Sequence, residues 1–342
     1  MIWRSKAPFR LGLAGGGTDV SPYCDLYGGA ILNVTISLYA HASIESISKP
    51  VIIFESIDQK KYIEFEAGKK APEFIGLDLQ AGLYNNLLQG NLIQNQGLKL
   101  TTAMEVPAGS GLGTSSTLMV TMLKAFSEML NLPYGEYDLA HKAYEIERID
   151  LGLAGGRQDQ YAATFGGVNF MEFYKDDNVI VNPLRIKLEY LNELENNIIL
   201  YFTSMSRSSS EIIKEQQKNV STHNIQSIEA MDQLKEQSRM MKEALLKGKL
   251  NELGEILDFG FTQKKKIAEN ISNSLIEEIY ETAKKAGASG GKISGAGGGG
   301  FMFFYCPGNT KYKVIESLSR YGGEFRNYHF TPLGARSWKT NT

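Results

Sequence analysis

Pro107-Ala-Gly-Ser-Gly-Leu-Gly-Thr-Ser-Ser-Thr117 decides the reading of this 342-residue chain. Just before it, Leu98, Leu100, Thr102, Met104 and Val106 occupy every second position, the period of a half-buried strand. Just after it, Leu118, Met119, Met122, Leu123, Phe126, Met129 and Leu130 fall at helical spacing. The glycines therefore join a strand to a helix. Glycine lets backbone N–H groups approach a ligand closely, and the following helix adds the positive end of its dipole. Together these make a phosphate cradle. The hydroxyls of Thr114, Ser115 and Ser116 can cap the helix, bind phosphate oxygens or ligate a hard cation. The plain alternative is a capped turn that holds no ligand.

A Walker phosphate loop is excluded, because no Gly-Lys pair in the chain is followed by Ser or Thr. Gly295-Ala-Gly297-Gly-Gly-Gly300 matches the dinucleotide fingerprint in spacing, but a strand-like run, Phe301 to Cys306, follows it where that fingerprint needs a helix. The segment can still back a nucleotide from the other side. Near the N-terminus, Gly15-Gly-Gly-Thr-Asp19 offers a carboxylate and a hydroxyl on a closely approaching backbone, as a polyol substrate needs. Asp19 as a helix cap fits that stretch equally well. A helix over about 137–151 places Glu147 on the stripe of Ala140, Tyr144 and Leu151, an inward position unless Ile146 and Ile149 set the buried face. An inward carboxylate needs a partner, and a cation is a natural one; the alternative is a surface Glu paired with Arg148 or a lysine. Asp159 follows in Gly155-Gly-Arg-Gln-Asp159, where turn chemistry alone would also account for it.

Strands dominate the N-terminal half, with Val34 to Glu45 alternating cleanly, and helical, polar patterning runs from Ser210 to about Ala286. There Lys264-Lys265-Lys266 reads as a solvated helix face. Without regular β-α-β alternation the fold class is α+β. A composition shift near residue 190 predicts two domains, 1–190 and 191–342. The balance of 36 Lys and Arg against 38 Asp and Glu argues against nucleic-acid and polybasic membrane surfaces. Apolar runs are strand-length, short of the roughly 20 residues of a membrane span. Two cysteines are too few for a disulfide framework and fit a reducing cytoplasm.

In combination these segments resemble the GHMP kinase superfamily. Pro107 to Thr117 is similar to its Pro-x-x-x-Gly-Leu-Gly-Ser-Ser signature, with Thr114 for the first serine, and Lys292-Ile-Ser-Gly-Ala-Gly-Gly-Gly-Gly300 to its C-terminal glycine motif. Arg10 to Tyr23 and Gly156-Arg-Gln-Asp-Gln-Tyr161 resemble the heptose 7-phosphate kinases within it, and the L-fucose kinases share much of this pattern. The resemblance implies a ribosomal-S5-like N-terminal domain, a ferredoxin-like C-terminal domain, and ATP-dependent phosphorylation of an anomeric hydroxyl with Mg2+. A non-catalytic sugar and ATP sensor is the alternative of another class. Family roles then place Pro107, Gly109, Ser110, Gly111, Leu112, Gly113, Thr114 and Ser115 around the ATP phosphates. Ser116 and Glu147 become the magnesium pair, although Glu147 to Asp159 is one residue longer than in the mevalonate kinase motif. Asp159 becomes the catalytic carboxylate beside Arg10. Gly17, Thr18, Asp19, Gly295 and Gly297 fall at the sugar. A phosphorylated sugar also needs a cationic site, expected at Arg207 and Ser208 between an apolar strand and a helix. The implied partners are a small-molecule sugar phosphate and ATP, with a homodimer left open.

Overall fold

The computed structural model describes residues 1–205 and 209–341. Among them twelve strands form two sheets. The larger holds β1 (Ile2–Ala14), β2 (Gly29–Ser46), β3 (Val51–Ser56), β4 (Lys61–Glu66), β5 (Leu98–Met104), β6 (Val168–Phe173) and β7 (Val179–Pro183). The smaller is antiparallel and consists of β8 (Ile198–Phe202), β9 (Gly290–Ile293), β10 (Phe301–Tyr305) and β11 (Glu324–Arg326) in the order β11-β8-β10-β9. A last strand, β12 (Arg336–Thr340), returns to the larger sheet and pairs antiparallel with β1. The α+β expectation holds. The strands of the larger sheet other than β12 end by Pro183 and those of the smaller run from Ile198 to Arg326, while β12 covers the open edge of β1.

The alternation in β2 holds from Ala40 to Glu45, where Ala40, Ala42 and Ile44 are buried and their neighbours are not. Its first half, from Gly29 to Ile36, is buried on both faces. The helix Thr114–Leu130 packs on β1 and β2, and the long helix Ile225–Lys247 also lies against them. One core therefore runs through both parts of the chain, from Phe9, Leu32 and Phe126 to Leu245, Leu257 and Phe303. Each such side chain, fully withdrawn from water, contributes roughly 1.5–3 kcal/mol. Gln237 ties the parts together, accepting from the Gly15 N–H at 3.1 Å and donating to the Ile256 carbonyl at 2.9 Å.

Within the glycine-rich stretch 287–300, Gly290 to Ile293 form β9 against β10. Gly290 permits this because a Cβ there would stand 1.8 Å from the Gly254 carbonyl oxygen in the overlying helix Leu253–Lys264. The expected helix over 137–151 also divides. It is α-helical over Glu136–Tyr144 and then a π-turn over Glu145–Asp150, with Leu151 N–H reaching back to Ile146 at 3.0 Å. The wider turn takes up one more residue per hydrogen bond. It buries both Ile146 and Glu147 and leaves Ile149 exposed. No helix of the described residues is long and apolar enough to cross a membrane.

Candidate active site

Three distant segments meet around a cleft of about 350 Å³: the turn after β1, the loop before the helix Thr114–Leu130, and the glycine loop between β9 and β10. Gly111 and Gly113 show why the second segment is glycine-rich. Both have positive φ, 84° and 76°. A Cβ on Gly111 would lie 2.5 Å from the Ser294 carbonyl oxygen, and one on Gly113 would lie 2.9 Å from the Asp159 carboxyl carbon. The loop is thus pressed between the C-terminal glycine loop and a carboxylate. Ser294 Oγ donates to the Gly111 carbonyl at 2.8 Å, and Phe301 N–H donates to the Ser110 carbonyl at 2.8 Å. Among the described residues no side chain caps the helix that follows, and Thr114, Ser115 and Ser116 of its first turn line the cleft.

Asp159 stands at the start of the helix Gln158–Phe165. Its Oδ1 accepts from Arg10 Nε at 2.7 Å, lies 2.7 Å from Arg10 Nη2, and accepts from Gln158 Nε2 at 3.0 Å. Arg10 Nη1 donates to the Gly111 carbonyl at 2.8 Å, so one buried guanidinium fixes the carboxylate to the phosphate-type loop. Oδ2 accepts no hydrogen bond among the described residues, and the side chain is 21% exposed. One oxygen is held and the other is not.

Glu147 is wholly buried. It accepts from the Ser115 hydroxyl and from Gln160 Nε2 at 2.7 Å, and it pairs with Arg148 Nη1 at 3.3 Å. Arg148 Nη2 and Gln160 Nε2 each donate to Ser116 Oγ at 3.1 Å. The expected Ser116 and Glu147 pair is therefore assembled at one point, with Ser115 rather than Ser116 on the carboxylate.

Near Asp159, Asp19 Oδ2 accepts from the Gln158 N–H at 2.9 Å and packs on Gly156, where a Cβ would lie 1.9 Å from that oxygen. Burial pushes the Asp19 carboxyl above its ordinary range; the Gln158 N–H opposes that shift and the neighbouring Asp159 charge adds to it. Lys264 and Lys292 reach the same wall, donating to the carbonyls of Gly16 at 3.3 Å and Gly12 at 3.0 Å. An anchored carboxylate, an uncapped helix N-terminus and a hydroxyl-lined loop converging on one cleft suit the transfer of a phosphoryl group.

The family model described as the GHMP kinases N terminal domain matches residues 80–167, and that described as GHMP kinases C terminal matches residues 241–324. The chain belongs to the GHMP kinase family. It is 47% identical over 340 residues, 98% of each chain, to the D-glycero-alpha-D-manno-heptose 7-phosphate kinase of Campylobacter jejuni. A crystal structure described as a D-glycero-D-manno-heptose 1-phosphate kinase from Bacteriodes thetaiotaomicron superposes with a TM-score of 0.84 at 42% identity, covering 99% of this chain and 100% of that one. The bifunctional fucokinase/GDP-fucose pyrophosphorylase of Arabidopsis thaliana is 26% identical over 331 residues, 94% of this chain and 31% of its own length.

Most residues that the sequence singled out in this GHMP kinase line the cleft: Arg10, Gly17, Asp19, Gly109, Gly111, Gly113, Thr114, Ser115, Ser116, Asp159, Gly295 and Gly297. Others do not. The Thr18 hydroxyl donates to the Gly15 and Ala30 carbonyls at 2.9 and 3.1 Å and accepts from the Ala30 N–H at 3.0 Å, so it locks the turn instead of meeting a sugar. Pro107 points to solvent, and Leu112 is buried in the core. Ser110 is buried behind the loop. Arg207 and Ser208 lie outside the described residues. Lys264 corrects the solvated-face reading of its lysine run, being 3% exposed while Lys265 and Lys266 face outward. Lys292 sits in the C-terminal motif itself and Arg148 next to Glu147, and motif position was the available signal for both.

Proposed function

We propose that this kinase transfers the γ-phosphoryl group of ATP to the anomeric hydroxyl of D-glycero-D-manno-heptose 7-phosphate, giving the 1,7-bisphosphate for nucleotide-activated heptose and surface glycans. The observation that carries the reading is the Arg10 bridge, which holds Asp159 and the Gly111 carbonyl on one guanidinium. The amides of Gly109 to Gly113 and the helix N-terminus would bind the ATP phosphates. Asp159 Oδ2 would orient the sugar O1 hydroxyl and take its proton as the O1–Pγ bond forms and the bond from Pγ to the β-phosphate oxygen breaks, releasing ADP. General-base help of this kind is typically worth about 10²–10⁴-fold. Asp19 would accept hydrogen bonds from ring hydroxyls.

The Ser115 and Ser116 hydroxyls and the Glu147 carboxylate form an all-oxygen donor set with a single negative charge. Mg2+ is ordinarily held that way, by one or two carboxylates plus substrate phosphates. The residues thus fit the ion, which would neutralise charge on the β- and γ-phosphates. Arg148, now on both Glu147 and Ser116, would have to yield to it. Two buried free cysteines, Cys24 and Cys306, support a reducing cytoplasm as the setting.

The test is ADP release with ATP and a panel of sugars, followed by 31P NMR of the product. The account expects turnover on heptose 7-phosphate with a new C1 phosphate. The names of the two heptose relatives differ in which phosphate is already present, and a C7 phosphate formed from heptose 1-phosphate would reverse the assignment. Preference for L-fucose would move the chain to the fucokinase reading. Tight binding of sugar and ATP with no turnover would make it a sensor.

A further inference from the structure

Two ammonium groups converge over one glycine at the sugar end of the cleft. A Cβ built on Gly16 would stand 3.7 Å from Lys292 Nζ and 4.0 Å from Lys264 Nζ. The residues are 5% and 3% exposed, and both line the cleft. Each ammonium has three donors. Each uses one, on the Gly12 or the Gly16 carbonyl. Neither forms an ion pair with a carboxylate among the described residues; the buried Asp19 is the acidic group on this wall, and Arg10 adds a third cation to it. Buried charges are ordinarily paired, because withdrawing an ion from water is costly unless a counter-charge replaces the solvent. Burial pushes the Lys264 ammonium down to about 8, with Asp19 working against that shift and Arg10 adding to it. Burial holds the Lys292 ammonium well below its ordinary value, with Lys264 and Arg10 adding to that shift. Asp19 is the one carboxylate lining this cleft among the described residues that Arg10 does not already hold, against two buried lysines.

We propose that Lys264, supported by Lys292, binds the phosphate that the sugar substrate already carries, and so separates sugar phosphates from free sugars. The assignment rests on the heptose 7-phosphate reading. Along the chain, Arg10 holds the reacting carboxylate, Gly12 and Gly16 carry the lysines, and Asp19 follows. A sugar with O1 at Asp159 would run along this wall, where the lysines and Asp19 line the cleft. The γ-phosphate of ATP has the same chemistry, and the test separates the two sources.

Lys264→Gln and Lys264→Met are compared with the unaltered enzyme by the ratio of kcat/KM on heptose 7-phosphate to kcat/KM on heptose, and by ATP affinity from direct titration. Loss of a charge-assisted contact should lower that ratio by about 10- to 100-fold in both variants. A ratio equal to that of the unaltered enzyme, an equal loss on both sugars, or a loss that falls on ATP affinity would overturn the assignment. If the unaltered enzyme binds ATP but transfers nothing to heptose 7-phosphate, the parent reading fails and takes this one with it. Should neither variant fold, amine acylation of the unaltered enzyme read by mass spectrometry decides. Heptose 7-phosphate should protect Lys264 where heptose and ATP do not, and absence of that protection would overturn the assignment.

Discussion

The Arg10 guanidinium meets a single oxygen of Asp159 through two nitrogens, Nε and Nη2, each at 2.7 Å, while its third nitrogen holds the Gly111 carbonyl at 2.8 Å. Residues 10, 111 and 159 come from a strand, a loop and a helix start, so the geometry of this bridge is set by tertiary packing. A charged fork of this kind fixes position as well as charge. Because Arg10 is held by its own strand, which pairs with β2 at Thr35 in the larger sheet, the carboxylate is placed before any substrate arrives.

Gly156→Ala tests the sugar end. The new methyl would occupy the place of Asp19 Oδ2, which would have to leave the Gln158 N–H. Sugar KM should rise about tenfold or more, as expected when a hydrogen bond to a charged group is lost, with ATP affinity retained. Steady-state kinetics with each substrate varied in turn checks this, and an unchanged sugar KM would remove Asp19 from sugar binding.

Arg148→Ala tests the buried corner beside the phosphate-type loop. It strips the cation from a fully buried Glu147 and releases the carbonyls of Ala154 and Gly156, which Arg148 now holds at 3.3 and 3.4 Å. Removing one partner of a buried pair costs about 3–5 kcal/mol. Urea unfolding should show a loss of that order, reduced when Glu147→Gln is made alongside because the stranded charge is then gone.

The acid–base behaviour of Lys264 has a definite sign. Its ammonium is lowered from 10.5 to about 8 in the folded chain. Between those values the unfolded chain binds the proton and the native state does not, so this residue makes stability rise with pH from about 8 to 10.5. Burial sets the shift, Asp19 opposes it and Arg10 adds to it, with Lys292 beside the group over Gly16. The stability difference between the unaltered enzyme and Lys264→Gln, followed by denaturant unfolding across pH 7 to 10, should grow in favour of the unaltered enzyme above about 8. A flat difference would mean that Lys264 titrates normally. Sugar-phosphate affinity should move the opposite way, weakening above about pH 8 as the ammonium is lost.

What the sequence made legible is what is local. The strand, glycine loop and helix around Gly109 to Ser116 are neighbours in the chain, and their glycines and hydroxyls carry their own conformational and chemical signal. Asp159 and Arg10 were legible through their motifs. Lys264 was not, since three consecutive lysines look alike until packing of the helix Leu253–Lys264 turns one of them inward. Thr18 misled for the same reason: a hydroxyl that reads as a sugar contact is consumed by the Gly15 and Ala30 backbone. The π-turn at Glu145–Asp150 takes up an extra residue, a register change that helical periodicity does not encode.

The most direct measurement is single-turnover phosphoryl transfer by Asp159→Asn, made alongside an ATP titration of the same variant. The account expects transfer to slow by about 10²–10⁴-fold, with ATP affinity within about threefold of the unaltered enzyme, a difference of only about 0.7 kcal/mol. Transfer at nearly the unaltered rate would contradict it, because the proton would then have another acceptor and the Arg10 bridge no catalytic purpose.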